Sequence, residues 1–477
     1  MEHLIVAEHG ASEGRAYVRF DAAAPAGAGC NERLGPQPQA PPPTRRYLTL
    51  LCASLFSVGA HVCYTMTSSI EKDLLASLGI NNEQYGTLNS AVSWASLAGL
   101  PFAAGVFVDG IPTRFAAVLF SFTVFFGHLI FALGVMSQSY FMAVIGRIVF
   151  GVGESTVLVV QGALVCQWFR SREQLALAIG VTEMTHNVAN WLGKVSLHVG
   201  LAIGGSWEAT LWFGLAVCFL SVLTAVAYFR IEKRADPAEF IARKSTPRCT
   251  ELGGLQKLHV LFWMFCLLHL LVSNVEHLFD AISAKFIYFK WHMQWSDAVW
   301  VSSLNYAMPI VMSPVVGHML DSVSNRMIIA SLACALMAAG HIMLTYLAWT
   351  PIAGMLTLAA AQSVLPTIIR SSAALVVPHR VTGIAFGMFG VAENFGKVLG
   401  NPLVGYIKDQ TGDYFLDGQI FVGMSSLAVL LCVTIGVLDA RGENALRRRR
   451  PAPPPEAQRD SLQAVSASAG EVESANL

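Results

Sequence analysis

Apolar residues run along this chain in blocks of about twenty, the length of helix that crosses a bilayer core. Twelve such blocks recur, near residues 47–69, 85–108, 114–135, 139–165, 174–200, 209–230, 258–280, 297–319, 326–348, 350–376, 381–407 and 416–438. The longest polar interruption, RIEKRADPAEFIARKSTPRCTELGGLQK, separates the sixth block from the seventh. The pattern predicts an all-α membrane protein with twelve transmembrane helices in two pseudo-symmetric halves. One six-helix bundle covers 45–230, a linker covers 231–257, and a second six-helix bundle covers 258–440. The flanks, 1–44 and 441–477, cannot bury enough apolar area to fold and are expected to be disordered tails.

Lysine and arginine set the orientation of such a chain. Basic loops follow the even-numbered spans, as in PTR at 112–114, FRSRE at 169–173, SNR at 324–326 and PHR at 378–380. The opposite loops are short and acidic or neutral, with Lys285 and Lys290 as the exceptions. Both tails and the linker are therefore expected in the cytosol.

Composition agrees with a bilayer as solvent. The 477 residues are 54% hydrophobic and 13% charged, where a soluble domain carries roughly 25% charge. A net charge of +0 gives no bias toward nucleic acid. The nine cysteines lie mostly in apolar runs without a C-x-x-C pair, so they read as small core residues. No P-loop, metal quartet, cofactor fingerprint or nucleophile–base set is visible, so neither an enzyme nor a cofactor is expected.

The halves repeat. GVFVDGIPTR follows the second span and GHMLDSVSNR the eighth, aligning Gly105, Asp109 and Arg114 with Gly317, Asp321 and Arg326. Gly180, Asn187 and Gly193 on the fifth span echo Gly387, Asn394 and Gly400 on the eleventh. Two halves of this kind are the build of a rocking carrier with its site at mid-depth between them. Asp109, Arg114, Asp321 and Arg326 are expected to form gate contacts that bias the access states.

Polar residues inside the spans mark the candidate site, since intramembrane charge must face protein or water. Arg147, Glu154 and Gln161 are seven apart and share one face of the fourth helix. Glu154 falls at its middle. Arg147 reads as a structural residue ordering the helix interface, or as an ion-pair partner. Glu183, Asn187, Asn190, Lys194 and His198 form a stripe on the fifth span, and Glu393, Asn394, Lys397 and Asn401 cluster on the eleventh. His61, His269 and Gln362 lie at similar depth. Candidate substrate contacts are Glu154, Asn187, Lys194, Glu393, Lys397, His61, His269 and Gln362. Glu393 and Lys397, at i and i+4, read equally as a self-satisfied pair.

The G-x-x-x-D-x-x-x-x-R loops and the R-x-x-x-G-x-G of RIVFGVG resemble the signatures of the major facilitator superfamily. GRIVFGVGES, SLNYAMPIVMSPVVGHMLD and GIAFGMFGVAENFG are similar to its lysosomal dipeptide transporter clade, the domain-containing protein 1 family. The resemblance covers most of residues 85–440. It implies a secondary transporter of small zwitterions, dipeptides or amino acids, in a lysosomal or related membrane. It also implies a glycosylated accessory membrane protein, and no N-x-[ST] sequon occurs in this chain. In that clade the glutamate of the G-E-S stretch holds the substrate amine, which places that role on Glu154. The clade's fifth-helix arginine within M-A-R-I-G, expected to meet the substrate carboxylate, falls at about Asn187, within MTHNVAN. Lys194 or Lys397 would have to replace it. Two alternatives stand beside this reading: a carrier of another polar solute, such as an organic anion or sugar, and a non-transporting receptor on a transporter fold.

Overall fold

In the computed structural model the chain is described over residues 43–97, 112–169, 175–234, 260–322, 325–347, 349–376 and 382–441. The expected tails lie outside these residues, as do Asp109, the side chain of Asp321 and most of the linker. Twelve span segments follow one another in the predicted order. The first is α1 (Pro43–Leu55) with α2 (Val58–Ser69), and a short α3 (Glu71–Leu78) leads to the second, α4 (Asn82–Leu97). The third to sixth are α5 (Thr113–Met136), α6 (Tyr140–Phe169), α7 (Leu175–Gly204) and α8 (Glu208–Arg234). The seventh is α9 (Val260–Trp291). The eighth joins α10 (Trp295–Ser303) through a 3-10 turn at Leu304–Tyr306 to α11 (Ala307–Ser322). The ninth is α12 (Arg326–Tyr346), the tenth α13 (Pro351–Gln362) with α14 (Leu365–Val376), the eleventh α15 (Thr382–Thr411) and the twelfth α16 (Phe415–Arg441).

Among the described residues, nine segments are long and apolar enough to cross a membrane by length and composition. The remaining three are α4, α7 and α15. Two of these, α7 and α15, carry the polar stripes. Below, the side where α1 begins and α16 ends is the terminal side, and the other is the far side.

Each half builds its own core. In the first, Phe56, Met66, Leu88, Phe131, Phe150 and Tyr228 pack together; in the second, Phe262, Phe279, Ile287, Leu358, Ile368 and Phe421 do. Outer faces expose Leu119, Phe126, Leu220, Leu332 and Leu430, an arrangement suited to lipid and costly in water. The sequence echo between the fifth and eleventh spans has a packing cause. A Cβ on Gly193 would lie 2.5 Å from the Val62 carbonyl oxygen of the first span, and one on Gly400 would lie 2.4 Å from Leu278 of the seventh. Matched glycines thus let matched helix pairs approach closely.

The structure corrects the expected end of the seventh span. The sequence ends it near 280 and leaves Lys285 and Lys290 in a loop, whereas α9 runs to Trp291. Polar side chains do not stop the helix here because protein partners meet them. Lys285 pairs with Glu71 at 3.1 Å, and Lys290 donates to the Leu344 and Thr345 carbonyls. Helix α8 likewise continues to Arg234, past the expected boundary at 230.

Candidate substrate cavity

The face of α6 predicted from seven-residue spacing is present, and its three members have different surroundings. Arg147 is 1% exposed, donates to the Cys63 carbonyl at 3.3 Å, and lies over the rings of Phe131 and Phe150 at 5.5 and 5.4 Å. Gln161 donates to the Ala53 carbonyl at 2.8 Å and the Ser57 hydroxyl at 3.1 Å, and its side-chain oxygen lies 2.8 Å from His186 Nε2. His186 stacks on His61 at 4.2 Å. Glu154, between them, is half-buried. Among the described residues it has no ion pair or hydrogen bond through its carboxylate. The charged groups acting on it are Lys397, Glu393, His277 and Arg147.

Across from Glu154, on α15, Glu393 is heavily compensated. Lys397 Nζ lies 2.7 Å from its carboxylate, His277 Nε2 3.1 Å and His269 Nε2 3.5 Å. The ring of His269 is held by stacking on Phe389 at 4.9 Å. Lys397 also lies 5.3 Å over the Tyr64 ring, so the cluster reaches the first span. Glu276 on α9 is a second half-buried carboxylate with no ion pair among the described residues; His277, Glu393, Asp280 and Lys397 act on it. Immediately toward the far side is a small cavity. Tyr64, Thr67, Asn89, Arg147, His277 and Asn401 are among its walls.

The other sequence candidates scatter. Lys194 is fully buried, 3.1 Å from the Asp280 carboxylate, and also donates to the Asp280 carbonyl and the Ser283 hydroxyl. It joins the fifth span to the seventh and lies apart from Glu154 in this conformation. Asn187 donates to the Glu183 carbonyl of its own helix at 3.0 Å. Gln362 is buried at the end of α13. Arg114 lies 3.9 Å from Glu232 at the end of the sixth span, and Arg326 reaches the Ser371 hydroxyl at 3.4 Å.

Sequence reasoning missed His277, Glu276, Asp280 and Arg370. The first three lie with Ser273 on one stripe of α9, at steps of three or four that mark one helix face. That spacing was a readable signal. Arg370 is exposed on α14 and acts on His186 of one half and His269 of the other.

Several cross-half hydrogen bonds lie toward the far side. Asp409 accepts from the Asn82 and Glu83 backbone, Lys285 donates to Asn82, and Trp295 donates to the Ser69 carbonyl at 3.0 Å. Helices α4 and α15 touch backbone to backbone there. A Cβ at Gly86 would lie 2.2 Å from the Asn401 carbonyl oxygen, and one at Gly405 2.1 Å from that of Asn82. On the terminal side, a Cβ at Gly390 would meet nothing within 4 Å. The α4–α15 seam is closed on the far side; nearer the termini, a Cβ at Gly180 of the fifth span would lie 3.8 Å from Pro314 of the eighth.

Comparison with known proteins agrees with this architecture. The sequence profile of the family described as Major Facilitator Superfamily matches residues 51–401 and 278–469. The chain is 26% identical over 409 residues to the lysosomal dipeptide transporter MFSD1 of Homo sapiens, covering 84% of this chain and 88% of that protein. It is 24% identical over 417 residues to MFSD1 of Gallus gallus, covering 85% and 89%. Among solved structures, a mutant form of the nucleoside transporter NupG superposes with a TM-score of 0.64 at 12% identity, covering 82% of this chain and 99% of that one.

Proposed function

The chain belongs to the Major Facilitator Superfamily, and from that premise we propose that it carries dipeptides or similar small zwitterions across a lysosomal or related membrane. As a member of that family it is a membrane transporter of small molecules and not an enzyme. The narrower substrate rests on one observation: Glu154 is a mid-depth carboxylate with no ion pair among the described residues, opposite a Glu393 that has three basic neighbours. A carboxylate left in that state favours an incoming ammonium group, because attraction strengthens as bulk water is excluded. The names of the relatives point the same way.

In this reading the described state is closed on the lumenal side, with the termini on the cytosolic side. The far-side seam separates in the opposite state. Arg147 orders the helices around Glu154. Asp109, Arg114, Asp321 and Arg326 act on the cytosolic gate. The bundles over 45–230 and 258–440 rock about the site as units. With no sequon in the chain, a glycosylated accessory membrane protein shields the lumenal loops.

Glu154→Gln tests the substrate reading. The variant keeps shape and removes charge. Removing one partner of a buried charge pair costs about 3–5 kcal/mol. At roughly 1.4 kcal/mol per factor of ten, zwitterion affinity falls at least a hundredfold. Binding of a dipeptide and its N-acetylated analogue to purified protein is the measurement. Wild type should prefer the free amine and the variant should lose that preference while keeping its melting temperature. Equal binding of both ligands by wild type, with a melting temperature lost in the variant, would make Glu154 structural.

A further inference from the structure

Resting on the zwitterion reading, we propose that Arg370 on α14 binds the substrate carboxylate. Two of the other cations near Glu154 are paired with carboxylates, and the third, Arg147, lies on its far side. Arg147 is buried between two phenylalanine rings, Lys194 is sealed against Asp280, and Lys397 is held at 2.7 Å by Glu393. Arg370 has no acidic partner among the described residues and is exposed.

Its surroundings place that exposure in the cleft. Helix α14, LPTIIRSSAALV, has two faces. Leu365, Ile368, Ile369 and Ala373 are buried, while Thr367, Arg370 and Ser371 lie on the more open side. A polar face on a membrane helix belongs against water or protein, since a lipid-facing arginine is costly. The charge of Arg370 reaches His186 on the fifth span and His269 on the seventh. A group that acts on one histidine from each half stands between the halves.

The axial spacing fits a dipeptide. At 1.5 Å per residue, Glu154 lies about 22 Å, His186 about 16 Å and the Arg370 backbone about 9 Å from the terminal ends of their helices. The Glu154 and His186 levels are about 6 Å apart, and two extended residues span at most about 7 Å. Arg370 starts nearer the terminal side, and its side chain leans back along the helix toward mid-depth. A planar guanidinium suits a carboxylate because it offers two parallel N–H donors. A substrate lying along the cleft would meet Glu154 with its ammonium and Arg370 with its carboxylate. The electrostatic role that the resemblance places near position 187 would then be filled from the opposite half.

The test compares a dipeptide with its C-terminal amide on the purified full-length protein, using wild type, Arg370→Gln and Arg370→Lys. Wild type should prefer the free acid. Arg370→Gln should lose at least about tenfold in acid affinity with little change for the amide, as expected when a charged hydrogen bond is removed. Arg370→Lys keeps the charge without the fork and should fall between; it carries the test alone if the glutamine variant does not fold. If wild type prefers the acid and both variants keep that preference in full, Arg370 is not the anchor and the zwitterion reading stands. Wild type that binds neither the dipeptide nor its amide overturns both.

Discussion

Two buried polar regions lie within this molecule, one at the far-side seam and one at mid-depth, and they differ in how their charges are met. In the seam, Lys194 faces Asp280 and Lys285 faces Glu71, each at 3.1 Å, while Asp409 receives the start of α4. At mid-depth, Glu393 has three basic neighbours, yet Glu154 and Glu276 have no ion pair among the described residues. Backbone packing follows the same division, tight at Gly86 and Gly405 and open at Gly390. An ion-paired network holds one arrangement of the halves. An unsaturated one leaves attraction for a ligand. The two regions therefore do different work: the seam sets which side is closed, and the cavity decides what is carried.

The seam's largest expected response comes from Asp280→Asn or Lys194→Met. Either substitution strands a buried charge, at a cost of about 3–5 kcal/mol. Both single variants should lower the melting temperature and widen the distance between spin labels at Gln84 and Thr411, on the far-side ends of α4 and α15. The double variant Lys194→Met with Asp280→Leu removes both charges and should recover most of the stability, since apolar replacement of a buried pair is often near neutral. Single variants with wild-type stability and distances would show that the pair does not hold the seam.

How much of this contrast was legible in the sequence depends on what enforces each feature. Lipid forces long apolar helices, so the twelve segments and the six-plus-six layout can be read directly. The Arg147–Glu154–Gln161 face follows from helical period alone. Lys194 shows the limit. Its stripe on the fifth span suggested a cavity residue, but its partner Asp280 lies on the other half, at the expected end of a span that in fact continues to Trp291. Pairing across halves has no local signature. Arg370 sat in an apolar-looking run, and only the Thr367–Arg370–Ser371 face betrayed it. Hydropathy hides the residue there, and only the helical period shows it.

A steric test has a smaller expected effect. Gly405→Ala places a methyl group 2.1 Å from the Asn82 carbonyl oxygen, and Gly86→Ala makes the mirrored clash with Asn401. Backbone atoms cannot rotate aside, so α4 and α15 must part, at about 1–3 kcal/mol for an overpacked contact. The Gln84–Thr411 label distance should lengthen in both variants. Gly390→Ala, with nothing within 4 Å, should leave it unchanged. A seam that stays closed in the first two would remove the close approach as a reason for its tightness.

The smallest expected effect is a pH dependence of the seam through Glu71. This residue stands on α3, beyond the membrane-crossing segment Arg45–Ser69, and is 1% exposed. Burial raises its pKa above the ordinary carboxylate value, and Lys285 opposes that shift without cancelling it. When the seam opens, the carboxyl meets water and its affinity for a proton returns toward normal. The closed seam therefore binds the proton more tightly than the open one. The stabilisation this supplies is complete below the ordinary carboxylate pKa and is lost as the far-side pH rises through the raised value. Acidifying the far side should favour closure, against the simpler expectation that acid breaks the Glu71–Lys285 pair and loosens the seam. The closed fraction, read from the same label pair between about pH 7 and about pH 4.5, should rise on acidification in wild type. It should respond less in Glu71→Gln, which has no proton to gain. A closed fraction that instead falls with acid in wild type, and does not in the variant, would mean that attraction to Lys285 outweighs burial at Glu71 and that the seam is a charge latch throughout.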